Sequence, residues 1–263
     1  MRYSLPALSV VLILAVAGQA QTPAQRPSAA ANTQVFRFAG ASLTEYAVLN
    51  APFQCDEIQE VVKTAPSGAT FTSLQQRAHM FRDSQGLLRR EQAMFGGVQH
   101  LITIFDPAGG SEYVLDPDHT AAHRIAVKVA GAKPAIEVYQ GRLQRLLAEP
   151  AGATARVSLG GQTMEGVYVE GMSYSTPLPA GLLGSDRAFL ITQDRWVAPD
   201  LALCILDKRS DPREGETTTR MTNIKREEPD ASLFQVPKDY RVVDERGPFQ
   251  IVFVRPRQAG AAK

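Results

Sequence analysis

After an apolar opening run, the chain settles into short stretches of alternating or continuous apolar residues, each closed by Gly, Pro, Asp or Ser. This is the rhythm of strands and turns. "EIQEVVKT" is closed by Pro66, Ser67 and Gly68; "ATFTSLQQRAHMFR" runs into "DSQG" and returns as "LLRREQAMF", which predicts a hairpin. "VQHLITIF" stops at Asp106 and Pro107, and "EYVL" follows the turn "AGGS". A second hairpin follows from the same logic. In "QTMEGVYVEGMSYST" the residues Met164, Tyr168, Met172 and Tyr174 have one parity, which predicts one shared face. "AFLITQDRW", "LALCILDKR" and "ETTTRMTNIKR" continue as antiparallel strands, and "PFQIVFVRP" closes the series. One stretch breaks the pattern: Ile136, Tyr139, Leu143 and Leu146 recur at helical spacing with Arg142 and Arg145 opposite, predicting a helix over 135–148.

The fold class is therefore mainly β, in an α+β arrangement of antiparallel strands with that helix as the main helical element. Residues 51–256 have the length of one domain with a single core. Before them, Arg2 and the apolar run from Leu5 to Ala17, followed by Gly18 and Ala20, read as a signal peptide over 1–20. The run is too short to span a bilayer, and no later segment is apolar enough. Residues 21–50 begin "QTPAQRPSAAANTQ" and read as a flexible leader; residues 257–263, "RQAGAAK", read as a disordered tail. Export places the mature chain in the periplasm or outside the cell.

Charge narrows the partners. The formal net charge is +1, with 28 Lys and Arg against 27 Asp and Glu. That balance argues against a counterion-driven grip on nucleic acid and against a polybasic dock on anionic lipid. The stretch "KRSDPREGE" mixes both signs and reads as a solvated turn, so replacing Arg213 and Glu214 by Ala is expected to leave stability unchanged. Cys55 and Cys204 enter an oxidising compartment in which disulfides persist, and both a bridge and two separate thiols stay open.

Catalytic chemistry finds no constellation. His119 and His123 in "DPDHTAAH" have the i, i+4 spacing of a zinc pair, but position 120 holds Thr where the metalloprotease pattern has Glu. On a strand the two rings would stand about 13 Å apart. "GMSYS" lacks the second glycine of a nucleophile elbow and continues a strand. No glycine-rich phosphate loop precedes a helix. No enzyme, cofactor or metal is expected.

Three passages carry a resemblance: "RDSQGLLRRE", "TPLPAGLLGSDRAFLITQDRWVAPDL" and "GETTTRMTNIKREEPDASLFQVPKDYRV". Over roughly residues 51–243 the chain resembles exported bacterial β-rich proteins of uncharacterised activity. More distantly, through "FQVPKDYRV", it is similar to the outer-membrane lipoprotein carrier (LolA-like) superfamily. That resemblance implies a strongly curved antiparallel sheet, or half-open barrel, with one or two helices against its concave face, where the carriers hold acyl chains. The functional expectation is an envelope binding or carrier module for a lipid-like or lipoprotein ligand. Candidate contacts are Met164, Tyr168, Met172 and Trp196 on the concave face, with Leu178, Leu182 and Leu183 from the Pro- and Gly-rich loop 176–186 as a short lid. The alternative is a protein-interaction module of the envelope without a small ligand, and a hydrolase stands third.

Overall fold

The computed structural model describes residues 33–39, 44–65, 67–143 and 153–255. The expected signal peptide, the C-terminal tail and residues 144–148 of the expected helix lie outside the described residues. Among the described residues are sixteen strands: β1 (Thr33–Phe38), β2 (Thr44–Leu49), β3 (Phe53–Thr64), β4 (Thr70–Arg82), β5 (Leu88–Met94), β6 (Gln99–Asp106), β7 (Ser111–Asp116), β8 (Ala121–Ala126), β9 (Lys128–Pro134), β10 (Ala155–Met164), β11 (Val167–Leu178), β12 (Phe189–Ala198), β13 (Leu203–Asp211), β14 (Gly215–Lys225), β15 (Arg241–Glu245) and β16 (Phe249–Val254). One short helix, α1 (Ala135–Val138), continues into a π turn at Tyr139–Leu143. The chain is mainly β.

Two meanders make one sheet. β3 to β8 follow one another, as do β10 to β14, and β14 pairs with β3 to join them into 12 strands in the order β10-β11-β12-β13-β14-β3-β4-β5-β6-β7-β8-β15. All pairs are antiparallel except β15 with β8. The half-barrel curl expected from the resemblance is not found among the described residues: the sheet stays open, with β10 and β15 as separate edges.

Residues directly opposite in an antiparallel pair share a face, so the register sorts the core. Met94, Leu101, Val114 and Ile125 on one face meet Phe36, Ile251 and Phe253 of the β1–β16 ribbon. Phe53, Cys55, Met80, Ile205 and Met221 pack with Ala135 of α1. The opposite face of β6 to β8 presents Ile104, Leu115 and Ala122, which Phe234 and its neighbours cover. The first is the covered face of the long sheet.

Part of the stretch 21–50, expected as a leader, is strand. It supplies β1 and β2, which bury Phe36 and Ala47, and β2 pairs in parallel with β9. Its Ala- and Pro-rich opening hid the alternating "TQVFRF" that follows. The expected helix over 135–148 is an α turn and a π turn as far as Leu143.

The two thiols are unbridged. β13 and β3 flank β14, so their backbones stand two strand spacings apart, about 9.6 Å. A disulfide needs Cα atoms within about 7 Å. Cys55 Sγ instead lies 3.9 Å from Met221 Sδ, and Cys204 Sγ 3.5 Å from the Leu206 carbonyl. Burial pushes both thiols up to about 12.

The candidate cavity beside the free edge

β10, β11 and β12 stand side by side with Ser158 opposite Met172 and Met172 opposite Arg195. The next row sets Arg156 against Tyr174 and Tyr174 against Gln193. All six side chains therefore belong to the covered face. Above β11, Tyr139 at the start of the π turn donates its phenol proton to Glu170 Oε2, tying the turn to the strand. Between turn and sheet lies a cavity of about 360 Å³, lined among others by Tyr139, Arg156, Ser158, Tyr168, Glu170, Met172, Tyr174 and Arg195.

Its walls are of two kinds. The rings of Tyr139, Tyr168 and Tyr174 and the Met172 thioether are apolar surfaces. The Arg195 guanidinium stands 5.9 Å from the Tyr174 ring centroid, within cation–π range, and its Nε binds Asp207 Oδ2 at 3.1 Å. Tyr174 is only 1% exposed, so that face of the cavity is fixed. Burial, and then the Glu170 carboxylate, push the Tyr139 phenol well above the usual tyrosine range. It stays protonated as a donor. Arg156 is exposed and forms no ion pair among the described residues.

Beyond the cavity the same row runs on through Asp207, Thr219, Gln59 and Gln76. Gln59 donates to Thr219 at 3.2 Å, Gln76 to Glu57 at 3.1 Å, and Arg90 to Glu57 at 3.0 Å. The middle of the covered face is thus a hydrogen-bonded polar band, where the resemblance implies an apolar concave trough.

Of the sequence candidates, Tyr168 and Met172 line the cavity. Met164 does not share their face. Glu165 and Gly166 form a two-residue turn with φ of 48° and 77°, and Met164 pairs with Val167 across it. Reading "QTMEGVYV" as one strand carried the parity through that turn. Trp196 lies opposite Gly171, with the reverse parity to Met172, and a Cβ on Gly171 would meet the indole at 2.6 Å. The ring therefore lies across the back of the strand that floors the cavity. Leu178 ends β11 opposite Phe189, and Leu182 is exposed in a 3-10 turn at Leu182–Gly184. The Leu183 side chain lies outside the described residues. Sequence reasoning missed Tyr139, Arg156, Ser158, Glu170 and Arg195; the π turn and the register bring them together, and neither is written as a motif.

A second groove, of about 480 Å³, lies where the β13–β14 hairpin meets the end of β3. Of its three acids, Asp211, Glu214 and Glu216, Asp211 is 2% exposed and already held by Arg213, through Nε at 3.0 Å and Nη2 at 2.8 Å, and by Arg209 at 3.4 Å. The hairpin is anchored by a buried carboxylate, so Arg213 is not the dispensable solvated charge expected from composition. Phe189 adds to this, with the Arg213 guanidinium 5.2 Å from its ring centroid.

His119 and His123 approach the same Asp116 carboxylate oxygen, His119 Nδ1 at 2.7 Å from the end of a 3-10 turn and His123 Nε2 at 3.9 Å from β8, while His123 Nδ1 binds Glu245 at 2.6 Å. Among the described residues no group of three or more His, Cys, Asp or Glu is placed to hold a metal ion, and no helix is long and apolar enough to cross a membrane.

No family model matches the chain, and no curated protein is significantly similar to it. Among solved structures, it is similar to an uncharacterised conserved protein from Thermus thermophilus at 11% identity, over 74% of this chain and 91% of that one, with a TM-score of 0.40. MucB, in its complex with MucA(peri), aligns at 11% identity over 73% of this chain and 57% of MucB, with a TM-score of 0.39. A LolA superfamily protein from Nitrosomonas europaea aligns at 8% identity over 72% and 92%, with a TM-score of 0.30.

Proposed function

We propose that the protein is an exported, non-catalytic binding module of the cell envelope, periplasmic or secreted, which holds a lipid-like or lipoprotein ligand in the cavity between β10–β12 and Tyr139. The observation that carries this reading is the mixed wall: three tyrosine rings and a methionine beside two arginines, a glutamate and a serine. Such a site suits an amphiphile, because the apolar part removes ring and thioether surface from water at about 25 cal/mol per Å² while the polar groups fix orientation. The rest of the core is filled by its own side chains. Catalysis is disfavoured by chemistry: the lining brings no His, Cys or Lys beside a hydroxyl, and the one phenol held by a carboxylate is a poorer acid than free tyrosine.

The test uses Trp196 as a reporter behind the Gly171 wall. Titrating the purified protein with a dodecyl amphiphile below its micelle concentration is expected to shift Trp196 emission and raise the melting temperature. A ligand at 100 times its Kd stabilises by about 2.7 kcal/mol. Neither signal moving up to about 1 mM, where even about 4 kcal/mol of binding registers, would remove the carrier reading.

One observation favours a second reading, a protein-interaction module. β10 is the edge of the long sheet, and Val157 and Leu159 on it are exposed. An unpaired edge is a template for an added strand.

A further inference from the structure

We infer that the outer edge of β4, from Thr70 to Leu74, docks a second copy of this chain, the two edges pairing antiparallel about Thr72 to make a two-fold dimer. None of the residues given for the cavity lies on β4, so this goes beyond the ligand reading and stands apart from it.

β4 is 13 residues long, yet only Ala78–Arg82 pair with β5. Thr70 to Gln76 pair with β3 alone, so one side of this backbone has no strand beside it among the described residues. A register shift at Gln59 leaves Gln75 without a partner, a bulge that bends β4 where its pairing with β5 has stopped. Every residue from Thr70 to Gln75 is exposed, Phe71 at 63% and Leu74 at 54%. The two outer edges of the sheet are guarded. β10 carries a bulge between Ser158 and Gly160 and two adjacent glycines, and β15 has only 5 residues, among them Arg241, Asp244 and Glu245. "TFTSLQ" on β4 has no charge, no Pro and no Gly, so nothing in it blocks the addition of a strand.

The segment is complementary to itself, which points to a second copy as the added strand. Antiparallel pairing about Thr72 sets Phe71 against Ser73 of the second copy and Leu74 against its Thr70, large against small in each pair. Thr72 meets Thr72 on the two-fold axis, a favourable cross-strand pair. The two Phe71 rings become diagonal neighbours on one face, about 7–8 Å apart and within reach of each other. Charge fits as well. On β3, Lys63 stands beside Phe71 and Glu60 beside Leu74. Across the axis the Lys63 row ends at Val61 of the second copy and the Glu60 row at its Thr64, so no like charges meet. Five residues from each copy make an interface below about 1,200 Å², the size of weak, exchanging complexes.

Sedimentation of the purified protein from about 10 to about 500 µM is expected to show a monomer–dimer equilibrium. Thr72→Lys and Thr72→Glu change an exposed position, so each is expected to keep the parent melting temperature. Each sets like charges against each other on the axis and is expected to weaken dimerisation about fivefold or more. An equimolar mixture of the two variants is expected to restore it, because residue 72 of one copy faces residue 72 of the other. A single monomeric species across the whole range overturns the inference. So does a dimer that survives both substitutions, which places the contact on β10 or elsewhere. Loss of the dimer in both variants with no recovery in the mixture overturns the two-fold pairing about Thr72.

Discussion

Arg82 is 5% exposed, and its guanidinium donates to two carbonyls, Ala51 O at 2.9 Å and Leu201 O at 2.5 Å, while lying 4.6 Å from the Phe53 ring centroid. Burial lowers its pKa to about 10, so it stays charged at neutral pH. Arg82→Met is expected to cost about 2–4 kcal/mol, because both carbonyls lose their donor in a buried setting. Urea denaturation checks this, and an unchanged midpoint would show that water replaces the guanidinium freely. Asp211 makes the opposite case. Hydrogen bonds from Arg213 lower its pKa from 3.8 to about 2. Its folded pKa lies below its unfolded one, so its stabilisation, up to about 2 kcal/mol, is complete above pH 4 and is lost as pH falls toward 2. Arg213→Ala should therefore destabilise at pH 7, with the gap from the parent closing near pH 2. A constant gap across that range would place the effect in the Phe189 contact. Composition could not reveal either residue: "FRDSQG" and "SDPREG" both read as polar turns, and only burial distinguishes a tethered charge from a solvated one.

The β10–β11 hairpin is where sequence pattern and structure part most usefully. The strands themselves were legible, since "VYVEGMSY" alternates as a half-buried strand should. Their pairing was not, because the Glu165–Gly166 turn resets parity and moves Met164 off the face of Tyr168 and Met172. Two glycines then let aromatic rings lie flat on neighbouring strands: Gly161 beneath the Tyr168 ring on the cavity side, Gly171 beneath Trp196 on the other. Gly171→Ala would push the indole out of contact with its core and is expected to cost about 1–3 kcal/mol. It should also red-shift Trp196 emission. An unshifted spectrum with full stability would mean that the strand yields without moving the ring. The hairpins at "DSQG" and "AGGS" were written plainly, by contrast, because there Asp and Gly satisfy the turn locally: Asp83 Oδ1 accepts from the backbone of Gln85 and Leu87, and Asp106 Oδ1 from that of Gly109.

At the scale of the molecule, local pattern gives two meanders, while their union through β14 and β3 is non-local. Thr217 to Thr219 facing Val61 to Gln59 is a match across a separation of 160 positions at Gln59 and Thr219, and no periodicity within either strand announces it. The same union keeps Cys55 and Cys204 on strands two apart. With both thiols near 12, the folded protein should resist a disulfide reagent at pH 8 and expose two reactive thiols only on unfolding. Fast labelling of the native state would contradict this arrangement. The proposed ligand site is the cavity that the second meander forms with Tyr139. A fatty-acid analogue with a photoreactive tail, bound below its micelle concentration, irradiated and mapped by peptide mass spectrometry, tests it most directly. Adducts are expected on Tyr139, Tyr168 and Met172, all competed away by decanoate. Adducts confined to the apolar clusters around Phe36 or Phe234, or labelling that decanoate does not compete, would contradict it.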